Sequence, residues 1–424
     1  MHAMIRIGCG QGFWGDSSEA PIRLVEDGPL DYLALDYLAE VTMSILQKQK
    51  KENPAFGYAR DFPALVERIQ SSGVKVIANA GGVNPVACAE EVRRRCPQLK
   101  VAVVLGDDIL DRLDAYPFLN IDTGEALSTV REHVLSANAY VGAFSIAAAL
   151  RTGADVVVTG RCADAALVLA PMIFEFGWEE TDWDLLAAGI TAGHIVECGA
   201  QCTGGNCLAD WETIPDLARI GYPIVEAEAD GTFVITKHLG SGGRVSLGSV
   251  KEQLVYEVGD PRAYYTPDVI ADFTSVTLVE DGENRVKVSG AHGLPRPEML
   301  KASISYHWGW KASGTLVYGP PLAGEKARRG AKIVNERCEL LGLKFDRAVT
   351  EVFGEEWAML RMAVRARERG AVERWTREMI PLVLNGPPGA TGYGEGRPKA
   401  HQVVAYWPAL LPREAVVTRV EVLG

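Results

Sequence analysis

The chain has 424 residues, of which 47% are hydrophobic, and a formal charge of −12. Its length allows a large core divided among roughly two or three lobes, and its acidic balance excludes the clustered positive charge that non-specific binding to nucleic acid or anionic membrane requires. No apolar run approaches the roughly 18 residues that cross a bilayer, and the N-terminus enters a strand pattern at once, so a cytoplasmic protein is expected.

A short strand at Ile5-Arg6-Ile7 runs into Gly10, Gly12 and Gly15, which stand in G-x-G-x-x-G register ahead of the helix-like SSEAPIRLVED. Such a loop can present backbone N–H groups to a pyrophosphate, yet Phe13 and Trp14 are bulky for a tight turn. Two readings follow. One is a dinucleotide loop serving an NAD(P)-dependent oxidoreductase, with Asp31 or Asp36 near the end of the second strand as the ribose acid. The other is a ligand loop of a different kind, in which Cys9, Gln11 and Asp16 face a crevice and Trp14 forms an apolar wall.

Further strand candidates are residues 31–38, 74–80, 101–106 and 154–160, separated by helix-length stretches at Ala39–Glu52, Asp61–Ser72, Pro85–Cys96 and Ala139–Thr152. Continuous apolar strands between amphipathic helices predict an α/β first half with a mostly parallel sheet covered on both faces. Ligands bind outside the carboxyl ends of such strands. The loops there are rich in Gly, Asn, Asp and Glu and are expected to converge on one crevice, NAGGVNP bringing Asn79 and Asn84, and TGRCADAAL bringing Arg161 and Asp164. Arg161 suits a carboxylate or phosphate, because its planar fork pairs bidentately with such groups. Asp164 could orient that Arg, act as a base, or simply favour a helix N-terminus.

The densest polar segment is AGHIVECGAQCTGGN, residues 192–206. His194 and Glu197 are three apart, so on a helix they share a face and form an acid/base pair or two ligands of a divalent metal. Cys198 sits beside them, and Gln201 and Asn206 offer amide donors for a carbonyl or carboxylate oxygen. Cys198, Cys202 and Cys207 lack the spacing of a zinc or iron–sulfur site. All eight cysteines are scattered, as reduced thiols are.

The character changes near residue 228, giving an expected division into 1–228 and a mixed α+β lobe, 229–424. Within the lobe a hairpin is expected around Asp281-Gly282, helices at Val250–Val258, Gly324–Leu341 and from Glu355 to Leu384, and a strand in the final AVVTRVEVL. A second glycine loop, with Gly240, Gly242, Gly243 and Arg244, could hold an anion or merely turn. The Gly/Pro-rich stretch 386–398, carrying Thr391 and Arg397, suits a lid. P-loop, nucleophile-elbow and H-E-x-x-H motifs are absent from the sequence.

Taken together, IGCGQGFWGD, DYLALDYLAEVTMSIL, NAGGVNP, TGRCADAAL, AGHIVECGAQCTGGN, YEVGDPRAYYTPDV and GPPGATGYGEGRP resemble the acyclic terpene utilisation A family, in order over nearly the whole chain. Glu197, Cys198, Gln201 and the Gly204-Gly205-Asn206 turn match the family pattern, and Cys202 and Cys207 depart from it. The resemblance implies a place in the catabolism of citronellol- and geraniol-type acids as coenzyme A thioesters, alongside a carboxylase, a hydratase and a lyase. It thereby favours hydro-lyase chemistry on a branched acyl-CoA or free carboxylate. Glu197 would then be the general base or acid, His194 its partner, Asp164 and Cys198 further candidates, Gln201 and Asn206 oxyanion donors, and Arg161 the anchor. Gly10, Gln11, Gly12, Trp14, Asp16, Asn79, Asn84 and Arg397 complete the expected binding set. Many relatives carry a further ferredoxin-like domain after the matched region. Here that module is expected either to be dispensable or to come as a separate small subunit, which leaves open a scaffold role and a homo-oligomer.

Overall fold

The structure is a computed structural model that describes residues 4–208, 211–392 and 396–423. The first part of the chain runs β1 (Met4–Gln11), α1 (Ala20–Glu26), β2 (Tyr32–Leu35), α2 (Glu40–Glu52), α3 (Phe62–Ile69), β3 (Lys75–Ala78), α4 (Pro85–Arg95) and β4 (Val101–Leu105). It continues through β5 (Val134–Ala139), α5 (Ala143–Arg151), β6 (Val156–Thr159), α6 (Ala166–Phe176), α7 (Trp183–Val196), β7 (Ile224–Glu228), β8 (Phe233–Thr236) and α8 (Leu247–Val255).

The apolar strands pair as their composition demands. β1, β2, β3, β6 and β4 lie side by side in that order, all parallel. Strands buried on both faces have no need of polar alternation, and their residues divide strictly between two cores. Leu33 and Leu35 of β2 join helices α1 to α4 on one face, while Tyr32 and Ala34 join α5, α6 and α7 on the other.

Antiparallel strands extend this parallel centre on both sides. β7 pairs with β1, β8 with β7, strand Val286–Ser289 with β8 and Thr277–Glu280 with Val286–Ser289; at the far edge Arg419–Leu423 pairs with β4. The result is one mixed ten-stranded sheet. The expected boundary at 228/229 therefore needs correcting, because it falls inside the β7–β8 hairpin, whose ladder hydrogen bonds tie both sides into one sheet. The compact units are instead residues 1–129, 135–305 and 406–424, and residues 130–134 and 306–405.

The second unit carries an antiparallel sheet in which Ala358–Ala366 lies between Arg347–Phe353 and Trp310–Tyr318. Helix Ala323–Leu340 packs its Ala327, Ala331 and Val334 into the core of that unit. The helix expected from Glu355 is a strand over Ala358–Ala366, because its side chains alternate between that core and the open face. The expected lid also changes: residues 390–392 form a strand paired with 316–318, Arg397 is exposed, and residues 393–395 lie outside the described residues.

Candidate functional site

The carboxyl ends of the parallel strands open on a cavity of about 1360 Å³ within the first unit. β1 delivers Gly12 and Phe13 to its wall, β2 delivers Asp36, Leu38 and Glu40, and β6 delivers Arg161 and Asp164. The end of α7 adds His194, Glu197 and Cys198, and the turn after it adds Gln201, Gly205 and Asn206. Tyr140, Tyr222, Tyr256 and Tyr264 give the cavity an aromatic lining, joined by Met299, Leu300 and Leu410.

α7 brings a histidine into the interior because it is apolar on every side, and such a helix must be buried. Every residue from Leu186 to Val196 is buried. Gly193 permits the close approach, since a Cβ there would stand 2.5 Å from the Ala165 carbonyl oxygen. His194 Nδ1 lies 3.1 Å from Glu197 Oε1, as i,i+3 spacing on one helix face requires. The imidazole is stacked on Phe273 at 5.2 Å and sits 4.9 Å from the Tyr264 ring. Two buried atoms of the pair, His194 Nε2 and Glu197 Oε2, have no hydrogen-bond partner. Buried polar groups are normally paired, and here two such atoms belong to one acid/base pair on the cavity wall.

A second polar knot surrounds Arg161. Its guanidinium donates to the Leu38 carbonyl at 2.7 Å, to Asp164 at 3.0 Å and to the Tyr140 hydroxyl at 3.0 Å, and it lies over the Tyr140 ring. Behind it, Asp107 accepts from the Arg161 backbone N–H and from Asn138. Gly160 is required there, since a Cβ would come within 2.4 Å of the Asp107 carboxylate. The Tyr140 hydroxyl in turn donates a hydrogen bond to Glu40 Oε1 at 2.6 Å. Burial pushes the carboxyl of Asp36 up to about 6, against the pull of Arg161 and the hydrogen bond from Asn79. Desolvation likewise holds Asp164 well above the usual carboxylate range, opposed by Arg161 and reinforced by Asp36 and Glu197. Burial also pushes the Cys198 thiol up to about 12, which removes it as a ready thiolate.

Nine of the sequence-selected residues thus meet at one cavity: Gly12, Asp16, Arg161, Asp164, His194, Glu197, Cys198, Gln201 and Asn206. Others do not. Gly10 lies inside β1 against Pro21 and Leu33, and Cys9 and Gln11 are buried beneath the loop, with Gln11 Nε2 donating to the Phe13 carbonyl. Trp14 turns away to donate to Asp61, so Phe13 supplies the apolar wall. Asn79 stands behind Asp36, donating to it at 2.6 Å, and Asn84 fastens the Pro54 and Phe56 carbonyls. Arg397 belongs to the second unit.

Neither glycine loop has the strand–turn–helix geometry of a dinucleotide loop. Gly10 is still strand, and α1 begins only at Ala20, so the first loop does not deliver a helix N-terminus to a ligand. Asp31 precedes β2 and accepts from the Arg6 N–H, at the opposite end of the strand from the cavity, whereas Asp36 follows β2 and faces it. In the second loop Gly242 and Gly243 allow contact with the Asp216 and Thr203 carbonyls, and Arg244 is spent on Thr213.

Among the described residues, no three His, Cys, Asp or Glu side chains converge as a metal site. His194 and Glu197 alone supply two donors, short of the three that a catalytic zinc takes from its protein.

Tyr140, Glu40 and Lys301 were not singled out from the sequence. Glu40 opens α2 just beyond the end of β2, and Tyr140 directly follows β5. Strand-end position is therefore the signal that would have found both.

A model of the family described as acyclic terpene utilisation family protein AtuA matches residues 5–422. A comparison with curated proteins finds no significant match.

Proposed function

Because the chain belongs to the acyclic terpene utilisation family, we propose that it acts in acyclic terpene catabolism as a hydro-lyase-type acid/base enzyme on a branched acyl substrate. The observation that carries this reading is the buried His194–Glu197 pair on the cavity wall, with Nε2 and Oε2 unpaired. With Glu197 ionised, His194 donates Nδ1–H to it and keeps a lone pair on Nε2. Nε2 then takes the proton from the carbon next to the substrate carbonyl, and Glu197 stabilises the imidazolium.

Asp164 is the complementary acid. Burial holds its carboxyl well above the usual carboxylate range. This favours the protonated form, which can give its proton to the departing hydroxyl as that leaves as water. Gln201 and Asn206 line the same cavity, where one oxygen of the substrate carboxyl can accept their amide N–H groups as it gains charge while the other oxygen stays free for a cation. Gln253 Nε2 donates to Gln201 Oε1 at 3.1 Å and so fixes which way that amide faces.

The test is turnover of branched 3-hydroxy acids and their coenzyme A thioesters, followed by the ultraviolet absorbance of the conjugated product. Glu197→Gln should lower kcat by a factor of about 10²–10⁴, the usual contribution of a positioned acid/base, with an unchanged melting temperature. Intact turnover in that variant would overturn the assignment.

A further inference from the structure

The charge inventory of the cavity narrows the substrate class, resting on the reading of this cavity as the active site. Seven carboxyl side chains line it, against two permanent cations, Arg161 and Lys301. The two differ in what they can still bind. Arg161 is 2% exposed and already donates to a carbonyl, a carboxylate and a hydroxyl, with only its buried Nε left unpartnered. It is part of the wall.

Lys301 is the reverse case. Its ammonium is ion-paired with Glu40, 3.7 Å from Oε1, but this is beyond hydrogen-bond distance, the side chain is about half exposed, and it makes no hydrogen bond among the described residues. Its position is set instead by two rings, Tyr140 at 4.9 Å and Tyr406 at 5.7 Å. Cation–π contact holds an ammonium while leaving its N–H donors unsatisfied. Glu40, its ion-pair partner, also accepts from the Tyr140 hydroxyl, so it is shared between the two.

A ligand bearing several phosphates would bring several negative charges against a lining in which carboxyls outnumber cations and of which only Lys301 keeps several N–H donors free, an unfavourable juxtaposition even with Asp36 and Asp164 neutral. A ligand with one carboxylate on a long apolar chain meets no such penalty. Its head group pairs with Lys301, and its chain lies against Tyr264, Met299 and Leu410. We propose that Lys301 is the anchor for a single substrate carboxylate, and that the cavity takes a free amphipathic monocarboxylic acid rather than its coenzyme A thioester.

Calorimetric titration of the full chain with geranic acid, geraniol, geranyl-coenzyme A and coenzyme A tests this. The acid should bind more tightly than the thioester, and coenzyme A should not compete with it. Lys301→Gln should weaken acid binding about tenfold, equivalent to about 1.4 kcal/mol, and leave geraniol binding unchanged, while Lys301→Arg should restore most of the acid affinity. A thioester that binds more tightly than the acid, an acid affinity unaffected by Lys301→Gln, or no binding of the acid would each overturn the proposal. Failure of the acid/base reading shows elsewhere, as intact turnover in Glu197→Gln, and leaves a Lys301-dependent affinity for the acid standing.

Discussion

The two glycine-rich loops of this chain are alike as sequence and opposite in placement. Gly12 brings the end of β1 against the Cys198 backbone, where an added Cβ would lie 2.9 Å from the carbonyl carbon, and Glu197 is the next residue back. Gly242 brings its loop against the Asp216 carbonyl, where a Cβ would lie 2.0 Å from the oxygen, away from the cavity. In both places glycine is there so that backbone can touch backbone. Only the first contact has reactive side chains beside it.

Substitutions can break that comparison. Gly242→Ala should have the largest effect on stability, about 2–3 kcal/mol, because rigid backbone cannot yield to the new methyl group. Binding of geranic acid per folded molecule should persist, and denaturant melts paired with calorimetry would check both. A loss of binding at full stability would place the second loop in the site after all.

Asp36, which follows β2 beside the first loop, sharpens the same contrast through pH. Its carboxyl is raised from 3.8 to about 6 in the folded protein, so the native state holds the proton more tightly than the unfolded chain does. Stability from this group is therefore lost as pH rises from about 4 to about 6, and the penalty is full above that. Oδ1 accepts both hydrogen bonds, from Leu38 N and Asn79 Nδ2, and Asp36→Asn keeps that acceptor. The variant should gain roughly 1–3 kcal/mol at pH 7 and nothing near pH 3.5. Urea midpoints across that range read the result, and a parallel offset at all pH values would contradict the assignment.

Gly12→Ala should cost less stability, about 1–2 kcal/mol, but should displace the Cys198 backbone and lower kcat about tenfold. Unaltered turnover would mean that the contact carries no catalytic geometry. The smallest expected effect is none at all: NAD and NADP should leave the melting temperature unchanged, since the first loop delivers no helix N-terminus and the glycines and Arg244 of the second are turned to protein groups. A shift of several degrees with either dinucleotide would reverse that conclusion.

The parallel centre was legible because β2, β3, β4 and β6 are short apolar runs between helical patterns, and burial on both faces leaves no other place for them. β5 was missed. Its sequence VLSANA is too polar to stand out, and it joins directly onto the residues of α5. The strand Ala358–Ala366 was missed for the opposite reason, since Ala, Met, Leu and Arg are good helix formers and only the sheet overrides them.

Within the site, the His194–Glu197 pair could be read because both partners lie on one turn of α7. Tyr140, Glu40 and Lys301 could not, because they meet only after separate segments fold together. Asparagines at strand ends were overvalued, since Asn79 and Asn84 satisfy the backbone and acids around them instead of a ligand.

The pairing of Arg419–Leu423 with Val101–Leu105 bears on how the protein is made. The strand it covers is synthesised long before the partner that closes its edge. During elongation the β4 edge is a row of open amides and carbonyls, which invites pairing with a neighbouring chain. Completion of the sheet has a large loop to close, so its closure is expected among the slower steps of folding. The sheet that carries the cavity is therefore whole only once this distant strand has been made and docked.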